Sequence, residues 1–190
     1  LGIIKTVPGG GNYIADDLDS WLIGPLSILF KLNNGYIRQT QQLRAALERE
    51  MAILAARKCT PLDAAELWRI LSSIDKAEDE KTRGELDKEL HTQIAKIADN
   101  PMIYSVLAAA DQLTENIIAG TRDYIMKKNR PEFKVDEQHR LLVEAIINND
   151  EKGAEQYMSE HMEIIEKCMD EMQKNSNNKR PANGIVIGGE

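Results

Sequence analysis

Several residue types that define common protein classes are scarce in this sequence. Phe, Trp and Tyr together make up only 5% of the chain, and there are two cysteines and three histidines. Cys59 and Cys168 lie far apart, in no spacing typical of a metal or redox site, so we expect reduced thiols. No uninterrupted apolar run reaches the ~18 residues of a membrane span, and no signal peptide opens the chain. These absences predict a soluble, cytoplasmic protein with no membrane partner.

Positive charge is also in short supply. The chain has 24 Lys and Arg against 31 Asp and Glu, which gives a net charge of −7. A protein that grips nucleic acid through its phosphates needs a basic face. We therefore expect that this stretch does not bind DNA unaided.

Good helix formers with a helical period fill most of the chain. Short turns separate the predicted helices, which cover residues 25–33, 36–58, 62–76, 80–99, 102–128, a segment around His139, and 150–173. The pattern predicts an all-α antiparallel bundle of six or seven helices. The polar, Asn-rich residues 175–190 are expected to form a mobile tail.

The first residues differ from the rest of the chain. Two short β-prone runs, 3–7 and 13–15, flank Pro8-Gly-Gly-Gly-Asn12, which predicts a hairpin turn. A phosphate-binding loop is the alternative, but no Gly-Lys-Ser/Thr follows and no helix N-terminus adjoins the glycines. Because an isolated two-stranded hairpin is marginal in water, we expect it to be the end of a larger domain.

The three histidines are spaced so that they can meet. Asp87 and His91 are four residues apart on a predicted helix and therefore share a face. His139 and His161 each lie eleven residues from Asp150, in a predicted turn, so antiparallel arms would hold them level. Three imidazoles and one carboxylate suit zinc, nickel, iron or manganese and can leave coordination positions open for water or a ligand. The alternative is that each histidine is an ordinary buried residue.

A series of short motifs then occurs in order across residues 1–170. They are Gly9-Gly-Gly-Asn-Tyr-Ile-Ala15, Pro25-Leu-Ser-Ile-Leu29, Leu43-Arg-Ala-Ala-Leu-Glu48, Leu54-Ala-Ala56, Asp87-Lys-Glu-Leu-His91, Asn100, Glu137-Gln-His-Arg140, Glu144-Ala-Ile146 and His161-Met162. Together they resemble the GntR family of bacterial transcription regulators, FadR subgroup. The opening is similar to the wing of a winged helix-turn-helix domain, and the remainder is similar to the helical effector-binding (FCD) domain.

The resemblance implies a domain organisation and a set of binding partners. Residues 1–16 would be the wing remnant, 17–174 the effector- and metal-binding domain, and 175–190 the tail. The implied protein is a homodimer that senses a small organic acid and thereby modulates its binding to operator DNA. The DNA-reading helices are mostly absent from this sequence.

Many members of the family hold one divalent metal by an Asp and three His, a pattern that the resemblance maps onto Asp87, His91, His139 and His161. Zinc is the first choice for this metal, and nickel, manganese and iron stay open.

Two further residues are candidates for ligand binding. Arg44 matches the inward-facing arginine of the family, and its guanidinium fork suits a carboxylate. The alternative is a surface arginine paired with Glu48, one turn further along the helix. Asn116 lies on the long helix expected to line the cavity; the alternative is that it is solvated.

Three functions compete for this pattern of residues. The first is the metal-binding sensor domain of a transcription regulator. The second is a metal-dependent, hydrolase-like enzyme, in which the metal activates water. No HExxH motif and no general base tied to the site by spacing supports that enzyme. The third is a bundle in which the metal only adds stability. The wing at the N-terminus favours the sensor, which is not an enzyme.

Overall fold

The computed structural model describes residues 4–14, 25, 28, 37–127 and 135–178. Within these ranges there are two strands and six helices. They are β1 Ile4–Val7, β2 Gly11–Ile14, α1 Ile37–Lys58, α2 Pro61–Lys76, α3 Glu80–Ala98, α4 Pro101–Lys127, α5 Val135–Ile147 and α6 Glu151–Asn178. The predicted all-α bundle with an N-terminal hairpin is therefore confirmed.

The limits of the predicted elements differ from the structure at a few places. Helix α6 continues to Asn178, beyond the predicted end at 173 and into the stretch expected to be a tail. The rest of that predicted tail lies outside the described residues. So does most of the predicted helix 25–33, of which only the helical positions 25 and 28 are described.

The hairpin forms through antiparallel pairing that runs from Ile4 opposite Ile14 to Val7 opposite Gly11. Gly9 and Gly11 take φ angles of 79° and 99° at the turn. Glycine adopts such angles without the steric cost that a side chain would add. The glycine run therefore makes the turn, and the second strand begins earlier than the sequence predicted.

Local capping sets several helix ends. Thr60 and Asp63 form a reciprocal capping box at the start of α2, each side chain accepting from the other's backbone N–H. The Asp79 side chain accepts a hydrogen bond from the backbone N–H of Thr82 at the start of α3. Asp99 closes α3 in the left-handed conformation, with φ of 46°.

Every helix contributes to one apolar core among the described residues. Its large, fully buried members include Met51, Leu67, Ile70, Leu90, Ile94, Leu142, Ile146 and Met158. The core also holds large polar side chains: Gln41, Arg44 and Glu48 on α1, His139 on α5 and His161 on α6. Because buried polar groups are costly unless they are partnered, this inner polar region marks the candidate site.

None of the helices in the described part of the chain is long and apolar enough to cross a membrane.

Candidate metal and anion site

The three imidazoles converge inside the bundle. Their ring centroids are 5.7 Å apart for His91 and His139, 5.1 Å for His91 and His161, and 4.7 Å for His139 and His161. One nitrogen from each ring lies within 4.8 Å of the others. His139 is 1% exposed and His161 is 4% exposed. The structure therefore brings together the three residues that the sequence spacing predicted would meet, which we call the histidine cluster.

The turn between α5 and α6 brings two of these histidines together. Asn149 takes a left-handed conformation with φ of 56°, which reverses the chain. The Asp150 side chain then accepts a hydrogen bond from the backbone N–H of Gly153 at 3.0 Å and starts α6. Because the two arms run antiparallel from this turn, His139 and His161 come to lie beside each other, with ring centroids 4.7 Å apart.

Asp87 reaches the same point from α3. It precedes His91 by one helical turn, and its Oδ1 atom lies 3.1 Å from Nε2 of His139. All four residues predicted to ligate a metal are thus neighbours, contributed by three helices. Their role as ligands stays a prediction.

The donor set fits a divalent metal such as zinc. Tetrahedral ligand atoms about 2.1 Å from one ion are about 3.4 Å apart, so the three nitrogens, which lie within 4.8 Å of one another, need to approach by at most about 1.4 Å. Nδ1 of His161 is buried and has no hydrogen-bond partner among the described residues. Burial, together with the neighbouring His139 and His91, holds the pKa of His161 well below its usual value. This environment keeps the neutral imidazole, which is the form that binds metal.

Glu48 is a site residue that the sequence analysis considered only as a surface partner of Arg44. Its side chain is 1% exposed, and its Oε2 atom lies 3.0 Å from Nδ1 of His91. Burial alone would raise the pKa of Glu48, but His91 and Arg44 hold it below the usual value. Burial has the opposite effect on His91, whose pKa it would lower. The charge of Glu48 and its hydrogen bond to His91 nevertheless raise the pKa of His91 to about 9. With Nδ1 of His91 engaged, Nε2 is the nitrogen left for a metal.

Arg44 lies beside the histidine cluster rather than at the surface. Its side chain is 9% exposed. Nε donates to Asp111, one terminal nitrogen donates to Gln41 at 3.0 Å, and the other donates to Glu48 at 3.4 Å. The alternative of a surface arginine is therefore wrong about burial, although the pairing with Glu48 that it assumed is present. We call Arg44, Gln41, Glu48 and Asp111 the Arg44 network.

Comparison with known proteins decides the family. The FCD domain family matches residues 39–164. The chain belongs to the FCD domain family. This result confirms the FCD domain that the sequence motifs predicted.

Relatives of this FCD domain are named as regulators. YcbG of Bacillus subtilis (strain 168), an uncharacterized HTH-type transcriptional regulator, is 28% identical over 169 residues, which are 87% of this chain and 66% of YcbG. A protein of Escherichia coli (strain K12), provisionally named L-lactate dehydrogenase operon regulatory protein, is 23% identical over 88% of this chain and 66% of its own length. The chain thus spans slightly less than two thirds of these two relatives. Both of these relatives are named as regulators.

The fold has a counterpart among solved structures. A protein described as Streptococcus agalactiae GntR superposes with a TM-score of 0.61 and 24% sequence identity, covering 87% of this chain and 75% of that one. At this level of identity the likeness concerns the fold.

Helix α4 of the FCD domain contributes to the site through a residue that the sequence analysis did not single out. Asp111 accepts a hydrogen bond from Arg44, as described above. Asn116, the predicted ligand contact, lies on the same helix, but its side chain is outside the described ones, so its role stays a prediction. The sequence does not distinguish Asp111 from an exposed acidic residue of a helix, because no pattern within α4 indicates that an arginine of α1 faces it.

Proposed function

We propose that this FCD domain senses a small carboxylate at a divalent metal and serves a cytoplasmic GntR-type transcription regulator of the FadR subgroup. The metal, with zinc as first choice, would be held by Asp87, His91, His139 and His161. The observation that carries the proposal is the convergence of two buried imidazoles and the partly buried imidazole of His91 next to a buried arginine. Cationic and metal-binding groups placed side by side in an apolar bundle suit a small organic anion.

The residues of the site would have separate roles in binding a carboxylate. A bound metal would supply a Lewis-acidic centre for a carboxylate oxygen beside its protein ligands. Asp87 would partly offset the charge of the ion, and Glu48 would orient His91 through Nδ1. Arg44 presents a planar guanidinium whose fork matches the second oxygen of the carboxylate or a neighbouring hydroxyl. The name of the Escherichia coli relative, which refers to an L-lactate dehydrogenase operon, makes L-lactate a suitable first probe.

The regulatory part of the proposal concerns DNA and assembly. We propose that operator DNA is read through a winged helix-turn-helix domain, of which the hairpin Ile4–Ile14 is the wing. Sequence is read mainly by a helix in the major groove, so this acidic chain alone is expected to bind no operator. A homodimer would match the paired half-sites that such regulators bind. A gel shift for DNA and sedimentation for assembly test these two points separately.

Thermal unfolding with and without zinc tests the sensing function. Ligands that bind only the folded state raise the melting temperature. Zinc should raise it, and L-lactate or acetate should raise it further only when zinc is present. In Arg44→Ala, zinc should still stabilise the protein while the carboxylate effect shrinks. Arg38→Ala is the control, because Arg38 lies on the same helix but is exposed and pairs with Asp170.

Equal stabilisation by the carboxylate with and without zinc would contradict the proposal. So would a carboxylate effect in Arg44→Ala as large as that in the control.

A further inference from the structure

Arg44 already has protein acceptors on all three of its nitrogens. Asp111, Gln41 and Glu48 take its Nε and its two terminal nitrogens, respectively. Two of these acceptors are carboxylates, so the guanidinium has the kind of partner that an effector would offer. A guanidinium has five N–H donors, but the single Nε–H is already taken, so a ligand carboxylate that binds the two-pronged fork including Nε must displace Asp111 or share that donor with it.

The three acceptors differ in how readily they can leave. Glu48 is 1% exposed and is also held by His91, so it has no route to water without breaking a second contact. Gln41 is buried and also contacts the sulfur atom of Met162 at 3.7 Å. Asp111 comes from a different helix, and its side chain is 36% exposed. Rotation of Asp111 toward solvent is thus the exchange that disturbs the buried site least.

The charges around Arg44 also favour the displacement of Asp111 over that of the other two acceptors. Burial raises the pKa of Asp111, with Arg44 opposing and Glu48 adding to the rise, so its carboxylate is less favourable there than in water. Replacing it by the carboxylate of a ligand keeps one anion beside Arg44 and returns the Asp111 charge to solvent. An additional anion, with Asp111 still in place, would bring three carboxylates around one guanidinium.

We propose that Asp111 is an internal competitor that occupies the carboxylate position of Arg44 until a ligand carboxylate replaces it. The inference rests on the proposed function of the site as a carboxylate sensor. It makes Asp111 a residue that sets affinity for the effector. It also means that binding breaks a contact between α1 and α4, because Arg44 and Asp111 lie on those two helices.

Acetate binding to the zinc-loaded chain tests the exchange, measured by titration calorimetry. Asp111→Asn removes the competing charge and keeps the side-chain shape, and Asp111→Ala removes the competitor altogether. We expect both to bind acetate about tenfold more tightly than the wild type, because a nearby like charge is lost. Asp111→Glu, which retains a carboxylate, should stay near the wild-type affinity. Asp170→Asn is the matched control, a partly exposed aspartate paired with Arg38 away from the site, and should change nothing.

The outcomes separate this inference from the function on which it rests. Unchanged or weaker acetate binding in both Asp111→Asn and Asp111→Ala, with zinc content equal to that of the wild type, overturns the exchange and leaves the sensing function standing. Absence of acetate binding in the wild type and all variants overturns both. Tighter binding in Asp170→Asn as well would show a general charge effect and would also overturn the exchange.

Discussion

Substitution of Glu48 by glutamine should change the protonation of His91 in the metal-free protein. Glu48 is buried and contacts Nδ1 of His91 at 3.0 Å, and the amide keeps the shape of the side chain without its charge. Burial alone lowers the pKa of His91, and Glu48 is the main group that raises it to about 9. In Glu48→Gln, we expect the pKa of His91 to fall to or below its ordinary value of 6.5.

The size of the effect follows from the change in pKa. A rise from 6.5 to about 9 corresponds to about 3 kcal/mol of stability, at about 1.4 kcal/mol per pKa unit. Because folding raises this pKa, the stability is fully present below pH 6.5 and is lost as the pH rises through about 9. The difference in unfolding free energy between the wild type and Glu48→Gln should therefore be larger at pH 6.5 than above pH 9.

Two measurements on chelator-treated protein check this prediction. An NMR titration of the imidazole resonances gives the pKa of His91, and urea unfolding at several pH values gives the free energies. Glu66→Gln is the control, because Glu66 is exposed on α2 and pairs with Arg69 at the surface. A pKa of His91 that stays near 9 in Glu48→Gln would refute the reasoning.

Three further predictions concern the metal and the stability of the bundle. The zinc affinity of the wild type should rise about tenfold per pH unit from pH 6.5 to about 9, because the metal must displace the proton of His91. Competition with a chelator measures this affinity, and an affinity that does not change with pH would contradict the prediction. Thr60→Ala should lower the unfolding free energy by about 1 kcal/mol, because the capping box is lost. Urea unfolding measures this difference, and Ser73→Ala is the control because it removes a hydroxyl from the interior of α2. Leu90→Ala should cost about 2–5 kcal/mol in the same assay, since Leu90 is fully buried, and a loss below 1 kcal/mol would contradict the packing described.

Much of the fold was predictable because its signals are local. A Thr-Pro pair directly before a periodic apolar run indicates a helix start. The structure has α2 beginning at such a pair, Thr60-Pro61. The glycine run predicted the hairpin for the same reason. The end of α6 was less predictable, because its final residues are polar and only weakly periodic.

The site was predictable only in part. The placement of the histidines depended on helical periodicity and one turn, both readable along the chain. Neither Glu48 nor Asp111 was assigned to the site, because their importance there comes from residues of other helices that face them. Whether Arg44 is buried could not be decided from the sequence for a similar reason. Charged residues are usually exposed, and the interior position of Arg44 is tolerable because a buried and a half-buried carboxylate pair with it.

The most direct test of the central claim is the zinc content of the chain and of His139→Ala after loading and extensive dialysis, measured by mass spectrometry of the metal. The account predicts one zinc per wild-type chain and a loss of most of it in His139→Ala, because His139 contributes a buried nitrogen to the cluster. Gln156→Ala, an exposed position on α6, should retain full occupancy. Full occupancy in His139→Ala, or no zinc in the wild type, would contradict the account.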